Sequence, residues 1–282
     1  MNIIITGAHG NLGSYMADYF SRLNNVIALG RKNLNIVEKD NVFNTIKMMH
    51  PDLVIHNASI NDMDQCEGDE NLAYTVNTIG SLNIAYVCSH LNIPLVFLSS
   101  SYVFNGKKNK PYYETDFCDP INTFGKTKLA AEKLIRTICK KYFIIRTSWV
   151  FGGSMCYINK ALNNKSKIIM SSSEILNPTY IKDLCSCIEV IIKTDFYGVY
   201  NCVNSNYATK KDVLQYAFEI AGIDKKVMDL PENYLDNSPP RPKYTPLNTS
   251  LINNCFNLSM PSWQERVEEY CRFSPHYKYI NQ

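Results

Sequence analysis

Residues 2–13 read Asn2-Ile3-Ile4-Ile5-Thr6-Gly7-Ala8-His9-Gly10-Asn11-Leu12-Gly13. Three consecutive isoleucines predict a strand buried on both faces, as in a parallel sheet. Glycines at 7, 10 and 13 then break the strand. Leu12, Tyr15, Met16, Tyr19, Phe20 and Leu23 follow at helical spacing. Strand, glycine turn and helix in that order aim backbone N–H groups at one point, which suits a phosphate. The spacing is G-x-x-G-x-x-G rather than G-x-G-x-x-G. The reading therefore rests on context: the glycines directly follow a strand and open a helix.

The same alternation continues outward from this stretch. Strands are expected at Val26–Leu29, Leu53–His56, Leu95–Leu98 and Tyr142–Thr147. Helices are expected at Asp40–His50, Asp69–Leu91 and Phe124–Ile138. In the long second helix, Leu72, Val76, Ile79, Leu82 and Tyr86 are assigned to the inward face. The fold class is α/β, a Rossmann-type doubly wound parallel sheet with a smaller C-terminal substrate lobe. Beyond Gly153 the rhythm changes. A short strand at Ile168–Met170 precedes a helix that begins at Asn177-Pro178-Thr179. A strand at Val199–Val203 is expected to rejoin the sheet, and a helix follows at Lys210–Ala221. Ser262 with Glu265 three residues on is a capping box for the last helix. Residues 1–153 are read as a dinucleotide-binding domain, with 178–204 returning to it. Residues 154–177 and 205–282 are read as the substrate-binding lobe.

Composition narrows the function. The chain has 282 residues with 29 Lys and Arg against 26 Asp and Glu, a net charge of +3. Nothing in that balance points to nucleic acid or a membrane surface. No apolar stretch reaches the length of a membrane span, and with a strand read directly at the N-terminus no signal or transit peptide is expected. Ten cysteines occur without a Cys-x-x-Cys pair, so a reducing cytoplasm and no metal site are expected.

Candidate ligand residues gather where strands end, the place ligands occupy in open α/β sheets. Gly7, His9, Gly10, Asn11, Leu12 and Gly13 form the phosphate turn. Arg31 and Lys32 stand where many NAD-binding folds carry an acid for the ribose 2′-hydroxyl. Two cations there suit a 2′-phosphate, which favours NADP, with NAD as the alternative cofactor and a plain surface pair as the bland reading. Asn57, Ala58 and Ser59 follow the third strand. Ser99, Ser100, Ser101, Tyr102 and Phe104 follow the fourth. Phe124 and Lys128 share one helical face. Asn77 interrupts the long helix, and Trp149 follows the fifth strand.

Together these stretches resemble an extended short-chain dehydrogenase/reductase, most closely the dTDP-4-dehydrorhamnose reductase group, which also includes the regulatory subunit of methionine adenosyltransferase. The match runs through Gly7-Gly10-Gly13, Leu29-Gly30-Arg31, His56-Asn57-Ala58, Asp64 to Glu67, Val76-Asn77 and Ser99 to Gly106. It continues through Gly125 to Ala130, Arg146 to Trp149 and Asn177-Pro178-Thr179. The resemblance implies NADPH-dependent reduction of a nucleotide-linked 4-keto-6-deoxy sugar in rhamnose biosynthesis, and it allows a homodimer. It implies Ser100 as the carbonyl-binding hydroxyl and Lys128 as the lysine that lowers a tyrosine's pKa and binds the nicotinamide ribose. It implies cofactor contacts from Asn77, Ser99 and Trp149. It implies substrate contacts from Ser101, Tyr102, Phe104, Asn177, Thr179 and Arg241, the last at the diphosphate. The tyrosine itself is replaced by Phe124, an aspartate by Ser101, and a glutamine and a glycine by Glu174 and Leu176. A phenyl ring has no proton to give, so weak or no turnover is expected. Three readings stay open: a tyrosine deliberately replaced, a catalytically silent NADP-binding regulatory protein, or catalysis by another acid such as Tyr102.

Overall fold

The computed structural model describes residues 1–164, 166–230 and 238–273. A six-stranded, wholly parallel sheet is its centre. The strands are β1 (Asn2–Thr6), β2 (Asn25–Leu29), β3 (Leu53–His56), β4 (Leu95–Ser100), β5 (Tyr142–Thr147) and, later in the chain, β9 (Gly198–Asn201). Their order is β2-β1-β3-β4-β5-β9. Residues 30–38 form no strand, so the chain returns from β2 to the far side of β1 at once. The order therefore reverses between β1 and β3, and a crevice opens at their carboxyl ends.

Helices cover both faces. On one side lie α1 (Asn11–Ser21), α8 (Ile181–Ile191) and α10 (Ser250–Phe256). On the other lie α2 (Lys39–Met49), α5 (Ser81–His90) and α6 (Thr123–Ile138). The three isoleucines of β1 are fully buried, Ile3 and Ile5 against the first layer and Ile4 against the second. That is the two-faced burial an unbroken apolar run requires. In α8, Ile181, Leu184, Ile188 and Ile191 all face inward.

Two features depart from the sequence reading. The helix expected over Asp69–Leu91 is α4 (Glu70–Tyr74), a π-helical stretch (Thr75–Gly80) and α5 in succession, preceded by α3 (Met63–Gly68). A π turn carries an extra residue, so it slips the inward face. Ala73, Asn77, Gly80, Ile84, Val87 and Cys88 are buried, and Ile79 and Tyr86 are exposed. The second departure concerns residues 177–180, which are not helical. Thr179–Tyr180 form a strand, β8, beside β6 (Val150–Phe151). Thr179 N–H is bonded to the Trp149 carbonyl and Tyr180 N–H to Asn204 Oδ1. Those backbone donors are committed before the helix begins at Ile181.

A separate apolar cluster lies away from the sheet. It joins α7 (Tyr157–Asn163), α9 (Lys210–Ile220) and α11 (Trp263–Phe273) with the two-stranded pair of β7 (Ile168–Met170) and β10 (Val227–Asp229). The capping box forms at the start of α11. Ser262 N–H donates to Glu265 Oε2 at 2.8 Å, and Glu265 N–H donates back to Ser262 Oγ at 3.3 Å. Within the proline-bearing stretch 229–246, residues 231–237 lie outside the described residues.

Candidate active site

The glycine turn is built by contact. Gly7 has a positive φ of 67°, and a Cβ there would lie 2.7 Å from the Ala58 backbone. A Cβ on Gly13 would lie 2.1 Å from the Gly7 carbonyl oxygen. Both positions therefore need glycine, and Gly13 serves to seat the helix on the turn. Gly10 precedes α1 as its N-cap and offers no side-chain acceptor to the first N–H groups. Those donors stay available to an anion.

A cleft of about 930 Å³ runs from this turn along the carboxyl ends of β1, β3, β4 and β5. Gly7, His9, Gly10, Asn11, Leu12, Arg31, Asn57, Ala58 and Ser59 line one stretch of it. Ser99, Ser100, Ser101, Tyr102, Phe124, Lys128 and Trp149 line another. Most expected site residues are thus brought together from segments up to 140 positions apart. Asn11 also ties the cleft's rim, donating to the Gly152 carbonyl at 2.9 Å and accepting from Met155 N–H at 3.0 Å.

Seven expected contacts fall outside the lining, Gly13 among them because it is buried beneath the turn against the Gly7 carbonyl. Lys32 is exposed and does not line the cleft. Asn77 is buried and fully used elsewhere: Oδ1 accepts from Ile60 N–H at 2.7 Å, and Nδ2 donates to the Ile60 carbonyl and to Thr127 Oγ1. It shapes the loop after β3. Phe104 is buried against Tyr112, with ring centres 4.2 Å apart. Asn177 spends its amide on the carbonyls of Asn204 and Asn206 and accepts from Leu247 N–H. Thr179 is buried and bonds the Asn177 carbonyl. Arg241 turns onto Glu174, Nη1 to Oε1 at 3.3 Å.

The reacting side of the cleft is held by α6 and the end of β4. Asn122 Oδ1 caps α6 at Gly125 N–H, and Glu67 accepts from both Thr123 N–H and Thr123 Oγ1. Lys128 is 4% exposed, its ammonium 4.2 Å over the centre of the Phe97 ring. Burial brings its pKa down to about 7, against the pull of Glu132 one turn away. Glu132 is itself committed. Arg146 donates to it from Nε at 3.0 Å and from Nη2 at 2.7 Å, and Ser99 Oγ also donates to it. Ser100 Oγ accepts from Tyr102 N–H at 3.2 Å, which leaves its own proton to give. Phe124 meets Tyr102 edge to face, with ring centres 6.1 Å apart. Burial first, and then the Glu174 carboxylate to which its hydroxyl donates, raise the Tyr102 pKa.

Lys210, at the start of α9, lines the same cleft and was not expected there. Its sequence signal is a lysine directly after an N-cap threonine, which resembles any surface helix start. Ile60, Asp62, Gln65 and Val76 likewise line the wall because the π turn and Asn77 fold the loop after β3 inward. Among the described residues no group of three or more His, Cys, Asp or Glu side chains could hold a metal ion. No described helix is long and apolar enough to cross a membrane.

Comparison with known proteins gives a consistent picture. The spore coat polysaccharide biosynthesis protein SpsK of Bacillus subtilis is 32% identical over 275 residues, covering 95% of this chain and 96% of SpsK. A dTDP-4-dehydrorhamnose reductase of Aggregatibacter actinomycetemcomitans is 30% identical, covering 94% of this chain and 97% of its own. The crystal structure of dTDP-4-dehydrorhamnose reductase from Bacillus anthracis in complex with NADP superposes with a TM-score of 0.90 at 30% identity. It covers 95% of this chain and 98% of that one. The model of the RmlD substrate binding domain matches residues 1–274, and the chain belongs to that family.

Proposed function

We propose that this chain is an NADPH-dependent reductase of a nucleotide-linked 4-keto-6-deoxy sugar, of the dTDP-4-dehydrorhamnose reductase kind, slowed by phenylalanine at the acid position. One observation carries the reading: Ser100, Phe124 and Lys128 face the same cleft as the uncapped glycine turn. The turn fits a pyrophosphate through the first N–H groups of α1, and Arg31 is the cation available to a 2′-phosphate. The cofactor supplies hydride to the carbonyl carbon when bound. Ser100 Oγ donates its hydrogen bond to the carbonyl oxygen. Lys128 brings a positive charge to the same side of the cleft, where charge on that oxygen must be balanced. Phe124 occupies the donor's position and gives no proton, so the proton that turns the alkoxide into the alcohol comes from water, slowly. Loss of a general acid costs roughly 10²- to 10⁴-fold in rate.

Tyr102 does not replace the missing phenol, since its hydroxyl is bound to Glu174 and held well above its usual pKa. That same engagement favours, as the second reading, a silent NADP-binding protein that acts through a partner. NADPH oxidation followed at 340 nm with dTDP- and UDP-linked 4-keto-6-deoxy sugars separates the two. The reductase reading expects Phe124→Tyr to raise turnover by at least about a hundredfold over the chain as it stands. No turnover by either form, with NADPH bound by both, overturns it for these substrates.

A further inference from the structure

Glu174 is a buried carboxylate with an unusual set of neighbours. The Tyr102 hydroxyl donates to Oε2. Arg241 Nη1 lies 3.3 Å and Lys210 Nζ 3.7 Å from Oε1. Two cations and a phenol therefore converge on one carboxylate, and the cluster carries one positive charge in excess. Tyr102 and Lys210 belong to the cleft lining, as does Leu176, whereas Glu174 and Arg241 do not. The Lys210 side chain is only 17% exposed. Burying an ammonium is costly unless a partner offsets it, and a single carboxylate oxygen at 3.7 Å, shared with Arg241, offsets little. Donors converging in this way form an anion site, and here the resident anion is the protein's own side chain. Arg241 is drawn onto the same carboxylate.

We propose that Lys210 anchors the diphosphate of the nucleotide-linked substrate, and that Glu174 is an internal competitor holding Lys210 and Arg241 until that substrate binds. The inference rests on the nucleotide-linked reading of the substrate given above. A phosphate oxygen offers stronger charge-assisted bonding than the shared carboxylate, and Arg241 can reach it bidentately once released. Neutralising Glu174 should therefore tighten ligand binding, the opposite of what removing a simple structural ion pair does.

The test is calorimetric titration of the full chain with dTDP, a ligand that needs no turnover. Glu174→Gln is expected to bind dTDP about tenfold more tightly, and Lys210→Met about tenfold more weakly, the low end for one charge-assisted hydrogen bond. Lys210→Arg should restore most of the loss, and matched thermal melts establish that each variant is folded. Raised salt should weaken the Gln variant more than the parent. If the parent binds dTDP and both Glu174→Gln and Lys210→Met bind it equally well, the assignment of Lys210 and Glu174 is wrong while the nucleotide-linked reading stands. If neither the parent nor any variant binds dTDP, the nucleotide-linked reading itself fails and takes the assignment with it.

Discussion

His56 shows how one side chain links the ends of two strands to the π turn. Its Nδ1 pairs with Thr6 Oγ1 at 2.7 Å and its Nε2 with Ser81 Oγ at 2.9 Å, and Ser81 Oγ donates to the Asn77 carbonyl at 2.6 Å. Ser81 thus has a lone pair to offer and no proton, so the neutral Nε2–H tautomer fits the chain of bonds. Burial first, and then the Lys128 charge, pull the His56 pKa down to about 3. The unfolded ring takes a proton below its ordinary value of 6.5, and the folded one does not. Stability from this residue is therefore full above pH 6.5 and is lost as pH falls towards 3. Urea midpoints between pH 7 and 4 should drop more steeply for the parent than for His56→Gln; parallel curves would remove His56 as the cause. The Arg146–Glu132 pair makes a second prediction at this scale. Both side chains are at most 3% exposed, so Glu132→Gln strands a buried guanidinium. A loss of about 3 to 5 kcal/mol is expected by urea unfolding, and a loss under about 1 kcal/mol would mean that water reaches the pair.

At the scale of elements, α6 matters most, because it carries both Phe124 and Lys128. Its placement depends on Gly125, where a Cβ would lie 2.1 Å from the Tyr102 carbonyl oxygen. Helix and turn can meet this closely only without a side chain. Gly125→Ala must push α6 away from residues 101–103. It is expected to cost about 1 to 3 kcal/mol as overpacking and to abolish the gain from Phe124→Tyr when the two are combined. A double variant as active as Phe124→Tyr alone would show that this contact does not set the site. The π-helical stretch is the other decisive element. Its extra residue brings Asn77 inward onto Ile60 and leaves Ile79 and Tyr86 outside.

Across the whole molecule, Asn204 joins the segment after β9 to α8 and to the chain entering α11. Its amide donates to Asp183 Oδ2 at 2.6 Å and to the Pro261 carbonyl at 3.0 Å, and its Oδ1 accepts from Tyr180 N–H at 2.6 Å. Arg266 on α11 reaches the same Asp183 at 2.8 Å. Asn204 is fully buried, so truncation leaves several polar groups unpaired. Asn204→Ala should lower stability by at least about 2 kcal/mol and speed amide exchange in both α8 and α11. Faster exchange in only one of them would mean that the two elements do not move as a unit. We further propose that the cluster around α7, α9 and α11 acts as the substrate lobe, with Lys210 as its contribution to the cleft.

The chain by itself determined most of the sheet. Unbroken apolar runs such as Ile3–Ile5, helical spacing such as Ile181 to Ile191, and a glycine-spaced break directly after a strand are local properties, legible without neighbours. Most of the cleft was equally legible, because loops at the carboxyl ends of parallel strands must converge at the switch point. What only the tertiary structure decided were matters of competition for partners. Asn77, Asn177 and Arg241 carry ligand-binding chemistry, yet each is consumed by a backbone or side-chain partner far away in the chain. The π turn is invisible to a 3.6-residue period, so the outward turn of Ile79 and Tyr86 escaped it. Lys210 resembles an ordinary helix start, and only the fold brings its charge beside Glu174 and into the cleft. Side-chain identity states which bonds a residue is able to make, and three-dimensional proximity selects which of them it does make.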